Sequence, residues 1–230
     1  MKAGSILWVA AGLSAITSAA WYFGARPDAN RDFYPPWAVN VYEDGSSSVF
    51  GLRLEHSTVA EALPRISGNP ELALVARANE LPRLEVYWPD ARLSGFAGKL
   101  IASTLDTPED WANTLWDARR HERMDDGAQK ITLQPQDYAA AFNNRIESFV
   151  FLPSYNLKAE QIENRFGAPA EKIAGAQAEH WLYPQRGIDL AYSEQHKEVI
   201  QYVSPRVFER VRAPLLEAMQ ANPSQENAPQ

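Results

Sequence analysis

The chain contains no cysteine. That excludes disulfides, thiolate metal sites and a lipid-bearing cysteine, so the fold rests on its apolar core alone. Histidine is scarce, at four residues. His56, His121, His180 and His196 form neither a His-x-x-x-His nor a His-Glu-x-x-His pair, the spacings that put two imidazoles on one helix face around zinc. Gly-x-Ser-x-Gly, Gly-x-x-x-x-Gly-Lys and Gly-x-Gly-x-x-Gly are all absent, which leaves no motif for an activated serine or a phosphate cradle. Asp125-Asp126-Gly127 starts like a calcium loop, but no acids follow at the needed spacing, and the three residues read as a turn. Basic charge is also short. Outside Lys2 and Arg26, 20 basic residues face 29 acidic ones, a balance of −9. Nucleic acid and anionic surfaces need basic patches, so no nucleic-acid partner is expected.

What is present first is a long apolar run. Ser5 to Ala25 carries no charge over 21 residues, Lys2 precedes it, and Arg26, Asp28, Arg31 and Asp32 end it. About 20 apolar residues suffice to cross a bilayer's hydrocarbon core. Two readings fit: a secretory signal peptide cut after Ser18-x-Ala20, or an uncut signal anchor over residues 1–25. Trp21, Tyr22 and Phe23 are bulky neighbours for a signal peptidase and suit an interfacial aromatic belt, which favours the anchor. Either reading exports the remainder. The expected location is the bacterial inner membrane, single-pass, with the C-terminal part in the periplasm and the lipid bilayer engaged through residues 5–25.

Residues 26–36 read as a linker and residues 217–230 as a disordered tail, polar and without periodicity. Between them the punctuation is regular. Strand-like stretches run over 37–42 and 48–54, with Asp44-Gly45-Ser46 as the turn. Thr58 and Glu61 have capping-box spacing before a short helix that stops at Gly68-Asn69-Pro70. Strands are expected at 71–75, 83–88 and 99–105. Thr107-Pro108-Glu109-Asp110 opens a longer helix, followed by a short strand at 130–133, a second helix from Pro135 and a strand at 148–152. Asn156 then caps a helix through Ile162 and Phe166 that stops at Gly167-Ala168-Pro169. Strands at 179–183, 188–193 and 198–203 follow, with a last helix from Pro205.

The pattern of short helix, Gly-x-Pro and aromatic strand therefore occurs twice. Such short helices persist only by burying one stripe on a sheet. The expectation is an α+β fold: a transmembrane helix, a first α+β unit at 37–106, a helical insert at 107–147 and a second unit at 148–216. Over Asn156 to Val203, with Ile162, Phe166-Gly167-Ala168-Pro169 and His180-Trp181-Leu182-Tyr183, the chain resembles the BamE (SmpA/OmlA) family of β-barrel-assembly lipoproteins. A second, fainter copy runs from Phe50-Gly51-Leu52 through Pro89. The resemblance implies two units with short helices on antiparallel sheets, and a scaffold that binds envelope components without chemistry. This chain differs from the family in lacking the lipidated cysteine, in carrying two copies and in having the helical insert.

No catalytic, metal or cofactor residue emerges, and no cofactor is expected. Glu179 and His180 are adjacent on a strand and point to opposite faces, and Asp189 reads as a solvent-facing strand position. Arg119-Arg120-His121-Glu122-Arg123 reads as a solvated helix end, with an anion patch as the alternative. Trp111 and Trp116, five apart, face different sides of their helix. Phe33, Tyr34 and Trp37 are the candidate partner-binding residues, since Tyr and Trp are typical interface anchors; the alternative is that Trp37 docks into the core. The functional expectation is a membrane-anchored periplasmic binding or scaffold protein with an envelope protein partner. The alternatives are an enzyme with a cleft between the two units, or a carrier of an apolar ligand.

Overall fold

The computed structural model describes residues 33–221, apart from 79 and 106. The apolar run 5–25, and with it the expected anchor and its bilayer contact, lies outside the described residues. Among the described residues no helix is long and apolar enough to cross a membrane.

The fold is mostly β. A small sheet joins β1 (Asn40–Val41), β2 (Ser47–Val49) and β3 (Leu52–Arg53). After α1 (Val59–Ala62) come β4 (Glu71–Ala76), β5 (Arg83–Leu93) and β6 (Phe96–Thr104). The middle of the chain holds α2 (Glu109–Ala118), β7 (Glu122–Arg123), β8 (Gln129–Thr132), α3 (Tyr138–Phe142) and β9 (Ile146–Pro153). Then α4 (Ala159–Phe166), β10 (Glu171–Ala174), β11 (Glu179–Tyr183), β12 (Ile188–Tyr192), β13 (Val199–Tyr202) and α5 (Glu209–Ala221) complete it. Strands β4 to β13 form one ten-stranded sheet in the order β10-β11-β12-β13-β9-β6-β5-β4-β8-β7. Every pairing is antiparallel.

This corrects the expected α+β pair of BamE-like units. The two meanders, β4 to β6 and β10 to β13, both end against β9: Ile101 pairs with Val150 on one side and Gln201 pairs with Val150 on the other. A strand has two hydrogen-bonding edges, and β9 uses both, so the halves merge into a single sheet. The insert is not only helical, since it supplies β8 and β7 beyond β4. Both short helices do lead through a left-handed glycine into a meander, Gly68 at φ 129° and Gly167 at φ 78°. One meander has three strands and the other four. The last helix runs to Ala221, so the first residues of the expected tail are helical, and 222–230 lie outside the described residues.

The main core lies on one face of the large sheet, called here the inner face. Leu84, Val86 and Trp88 of β5, Leu100 and Ala102 of β6, and Phe149 and Phe151 of β9 alternate onto it and are fully buried. The small sheet, α1, α2, α3 and α4 cover that face, contributing Leu52, Val59, Ala112, Ala141 and Ile162 to the same cluster. Each fully buried Leu or Phe stabilises the fold by roughly 1.5–3 kcal/mol relative to an exposed one. The Thr58–Glu61 box forms: the Thr58 amide donates to Glu61 Oε2 at 2.9 Å and the Glu61 amide to Thr58 Oγ1 at 3.3 Å. Helix α1 itself ends at Ala62, short of the expected stop at Gly68; Gly68 lets the segment after it approach β5, where a Cβ would sit 3.0 Å from the Asp90 carbonyl oxygen.

Candidate partner-binding face

The opposite, outer face is only partly covered. Helix α5 packs Val211, Leu215 and Leu216 over Ile173, Leu182, Val203 and Phe208, a second, smaller cluster at the β10–β12 end. Arg212 of α5 holds Glu171 at 2.7 Å, and Arg210 reaches Glu147 of β9 at 3.4 Å. Arg83 of β5 also meets Glu147, at 3.3 Å, so a charged triplet closes one end of the remaining face.

Across that remaining face the register sets Tyr87 beside Ile101, Ile101 beside Val150, and Val150 beside Gln201. Leu152 and Val199 point the same way by strand alternation. All five apolar side chains, Tyr87, Ile101, Val150, Leu152 and Val199, are half-buried, and neither core cluster contains them. A one-sided antiparallel sheet needs apolar residues only at alternate positions, and a strand covered on both faces reads as a continuous apolar run. Phe149-Val150-Phe151-Leu152 is such a run. The flanks of the line are polar: Glu85, Ser103 and Ser148 on one side, and Lys99 on the other.

The three predicted aromatics differ in exposure, with Phe33 exposed and Tyr34 and Trp37 half-buried. Phe33 is 65% exposed. Tyr34 donates its amide hydrogen to Ser94 Oγ at 2.8 Å, and its ring lies so close to Gly51 that a Cβ there would meet it at 2.7 Å. Trp37 packs edge-on against Phe96 (centroids 5.0 Å) and Phe166 (6.3 Å), with the Arg165 guanidinium 4.7 Å above its ring. It thus sits on the core, beside buried Pro35 and Pro36.

His180 Nδ1 lies 3.0 Å from both oxygens of Asp189, which is buried rather than solvent-facing. Glu179 serves a different neighbour, accepting from Trp181 Nε1 at 2.5 Å. The imidazole's partner is therefore a cross-strand acid ten residues from the one next to it in sequence. No serine, threonine or lysine is hydrogen-bonded to His180 among the described residues, so the pair has an orienting acid and no nucleophile. His56 reaches Asp44 at 3.4 Å, and Ser46 Oγ donates to Asp44 at 2.7 Å. There the acid stands between serine and histidine, which cannot relay a proton from one to the other. The two Ser46 hydrogen bonds, with Arg53 beside them, hold the Asp44 carboxyl below the usual carboxylate range. His121 spends both ring nitrogens on Gln129 and the Trp116 carbonyl. Arg119 pairs with buried Asp137 at 2.8 Å, and Asp126 caps the Gly127 turn through the Ala128 amide. No group of three metal-ligating side chains exists among the described residues.

Two surface grooves are described. One, about 490 Å³, runs past Arg119, Arg120, Glu122 and Gln134; the other, about 290 Å³, lies between Leu81, Leu105 and the start of α2. Neither holds a His–acid pair or an enclosed apolar interior. No pairing partners for the strand at 148–152 can be read from the sequence alone, so the outer face was not assembled from it; the unbroken apolar run at 149–152 was the available signal. No protein family, curated protein or solved structure matches the chain.

Proposed function

We propose that this chain is a binding or scaffold protein of the bacterial envelope, held at the inner membrane by the apolar run 5–25 with its folded part in the periplasm. It assists assembly or stability of an envelope complex. The observation that carries this reading is the line Tyr87–Ile101–Val150, with Leu152 and Val199, half-buried side chains on the outer sheet face that belong to neither core cluster. Apolar side chains set side by side over four strands form a contiguous patch of the kind that marks a protein interface. Phe33, the exposed member of the aromatic trio, adds a contact next to the anchor.

The test uses the full chain expressed in a Gram-negative-type bacterium and extracted in mild detergent. Ile101→Asp is expected to lower the mass of the complex in which the chain migrates while its melting temperature stays put. A complex of unchanged mass from a correctly folded Ile101→Asp chain contradicts the reading.

A further inference from the structure

We infer that the groove where β5 begins and β6 ends takes one bulky apolar side chain of a linear peptide whose neighbouring residues are lysine or arginine. None of Tyr87, Ile101 and Val150 lines this groove. The inference therefore goes beyond the role proposed for the outer sheet face and does not depend on it.

The strand pairing brings the apolar floor together. Leu81 stands between β4 and β5, and Leu105 directly follows β6. Ser103 near the end of β6 sits opposite Glu85 near the start of β5, so both leucines belong to one end of the sheet. Helix α2 begins there and adds Ala112 and Asn113. The backbone around them is held: the Leu84 amide donates to Thr107 Oγ1 at 2.9 Å, and the Leu105 amide to the Arg145 carbonyl at 2.8 Å. Yet Leu81 is 55% exposed and Leu105 40%. One exposed leucine is ordinary, but two lining one groove make a local apolar patch. The groove holds about 290 Å³, at the lower edge of the ~300–1,000 Å³ of small-molecule pockets. It lies open at the surface, which suits a single side-chain anchor rather than an enclosed ligand.

The rim sets the charge of the partner. Glu80 and Glu109 line the groove, both are exposed, and neither has an ion-pair partner among the described residues. Arg83, a cation on the lining, is committed to Glu147 at 3.3 Å. The N-terminus of α2 brings only about half a positive charge, and Asp110 in its first turn adds another acid, so the rim stays negative. Carboxylates beside an apolar floor repel an acidic segment and attract a basic one. Asn113 makes no side-chain hydrogen bond among the described residues. Its amide offers a donor and an acceptor, which match the backbone of an extended peptide and have no counterpart on a simple alkyl amine.

The experiment titrates the full chain, in a non-ionic detergent and with its leucine methyls labelled for NMR, with two capped pentapeptides, Lys-Lys-Leu-Lys-Lys and Glu-Glu-Leu-Glu-Glu. The basic peptide should shift the Leu81 and Leu105 methyls saturably, with a midpoint below about 1 mM, and the acidic one should bind about tenfold more weakly. Glu80→Lys combined with Glu109→Lys, both at exposed positions, should reverse that preference at an unchanged melting temperature. If the double variant fails to fold, Glu80→Gln alone should weaken the basic peptide about threefold. No saturable shift at the two leucines with the basic peptide, or equal affinity for both peptides, overturns the inference. Ile101→Asp should leave the titration as it is, so a change in the extracted complex in that variant reports on the outer face alone.

Discussion

The hydroxyl of Tyr202 donates to the carbonyl oxygen of Pro36 at 2.9 Å, joining residues 166 apart in the chain. Tyr202 is fully enclosed on β13, and burial pushes its phenol well above the ordinary tyrosine range. This bond fixes the segment entering the domain onto the sheet's second meander. Tyr202→Phe removes the donor and leaves the Pro36 carbonyl buried without one. The expected loss is about 1–2 kcal/mol, read as a lower melting temperature, with the mass of the extracted complex unchanged.

Trp37 and Phe33 should separate cleanly. Trp37 packs against Phe96 and Phe166 under Arg165, so Trp37→Ala opens a cavity and should cost about 3 kcal/mol by denaturant titration. Phe33 is exposed, and Phe33→Ala should change stability by less than about 0.5 kcal/mol. If Phe33 also contributes to partner contact, its loss weakens the complex at constant stability. Equal destabilisation by both substitutions would contradict this placement.

His180→Ala leaves the buried Asp189 carboxylate without its imidazole. The expected cost is about 1–3 kcal/mol, the penalty of an orphaned buried acceptor. Glu179→Ala removes an acceptor from Trp181 at a more exposed site and should cost less. A His180→Ala chain that folds, melts lower and still enters the complex supports a structural pair. Loss of biological activity at unchanged stability would instead favour an enzyme.

Acid and alkali should weaken different parts of the fold. The Asp44 carboxyl is depressed by its Ser46 hydrogen bonds and by Arg53. Its contribution is therefore complete above the unfolded carboxylate pKa and fades as pH falls below it. Asp44→Asn should flatten the acid limb of a stability–pH curve. Tyr183 is pushed up to about 12, chiefly by burial. Its contribution is complete below an unfolded pKa of about 10 and is lost as pH rises from there towards 12. Tyr183→Phe should reduce the stability lost in that window, although it also removes the 3.0 Å bond to the Gly167 carbonyl.

Local features were legible in the sequence because their physics is local. The Thr58–Glu61 box, the left-handed stop at Gly167 and the strands around Trp88, Phe149 and Trp181 follow from capping, steric freedom and alternation over a few residues, whereas α1 ends six residues before Gly68. Pairing partners were not legible. That β9 accepts β6 on one edge and β13 on the other depends on residues about 50 apart, and no periodicity encodes it. The two meanders were accordingly read as two units. Asp189 was misplaced for a related reason: only the β11–β12 register, with Leu182 opposite Asp189, brings His180 diagonally to its carboxylate. Thr107 was expected to start α2, yet its hydroxyl accepts from the Leu84 amide at 2.9 Å, tying the loop to the sheet and leaving Pro108 at the cap position. Short strands such as β7 and β10 carry too few residues to show alternation.

The outer face is the central claim, and hydroxyl-radical footprinting of the full chain in native membranes tests it most directly. Tyr87 is the reporter on the face, and Tyr42, 38% exposed just after β1, is the control. If the face is covered in the envelope, Tyr87 oxidises several-fold more slowly in membranes than in the dilute, detergent-dispersed Ile101→Asp chain, while Tyr42 reacts equally in both. Equal oxidation of Tyr87 in the two samples would contradict the account.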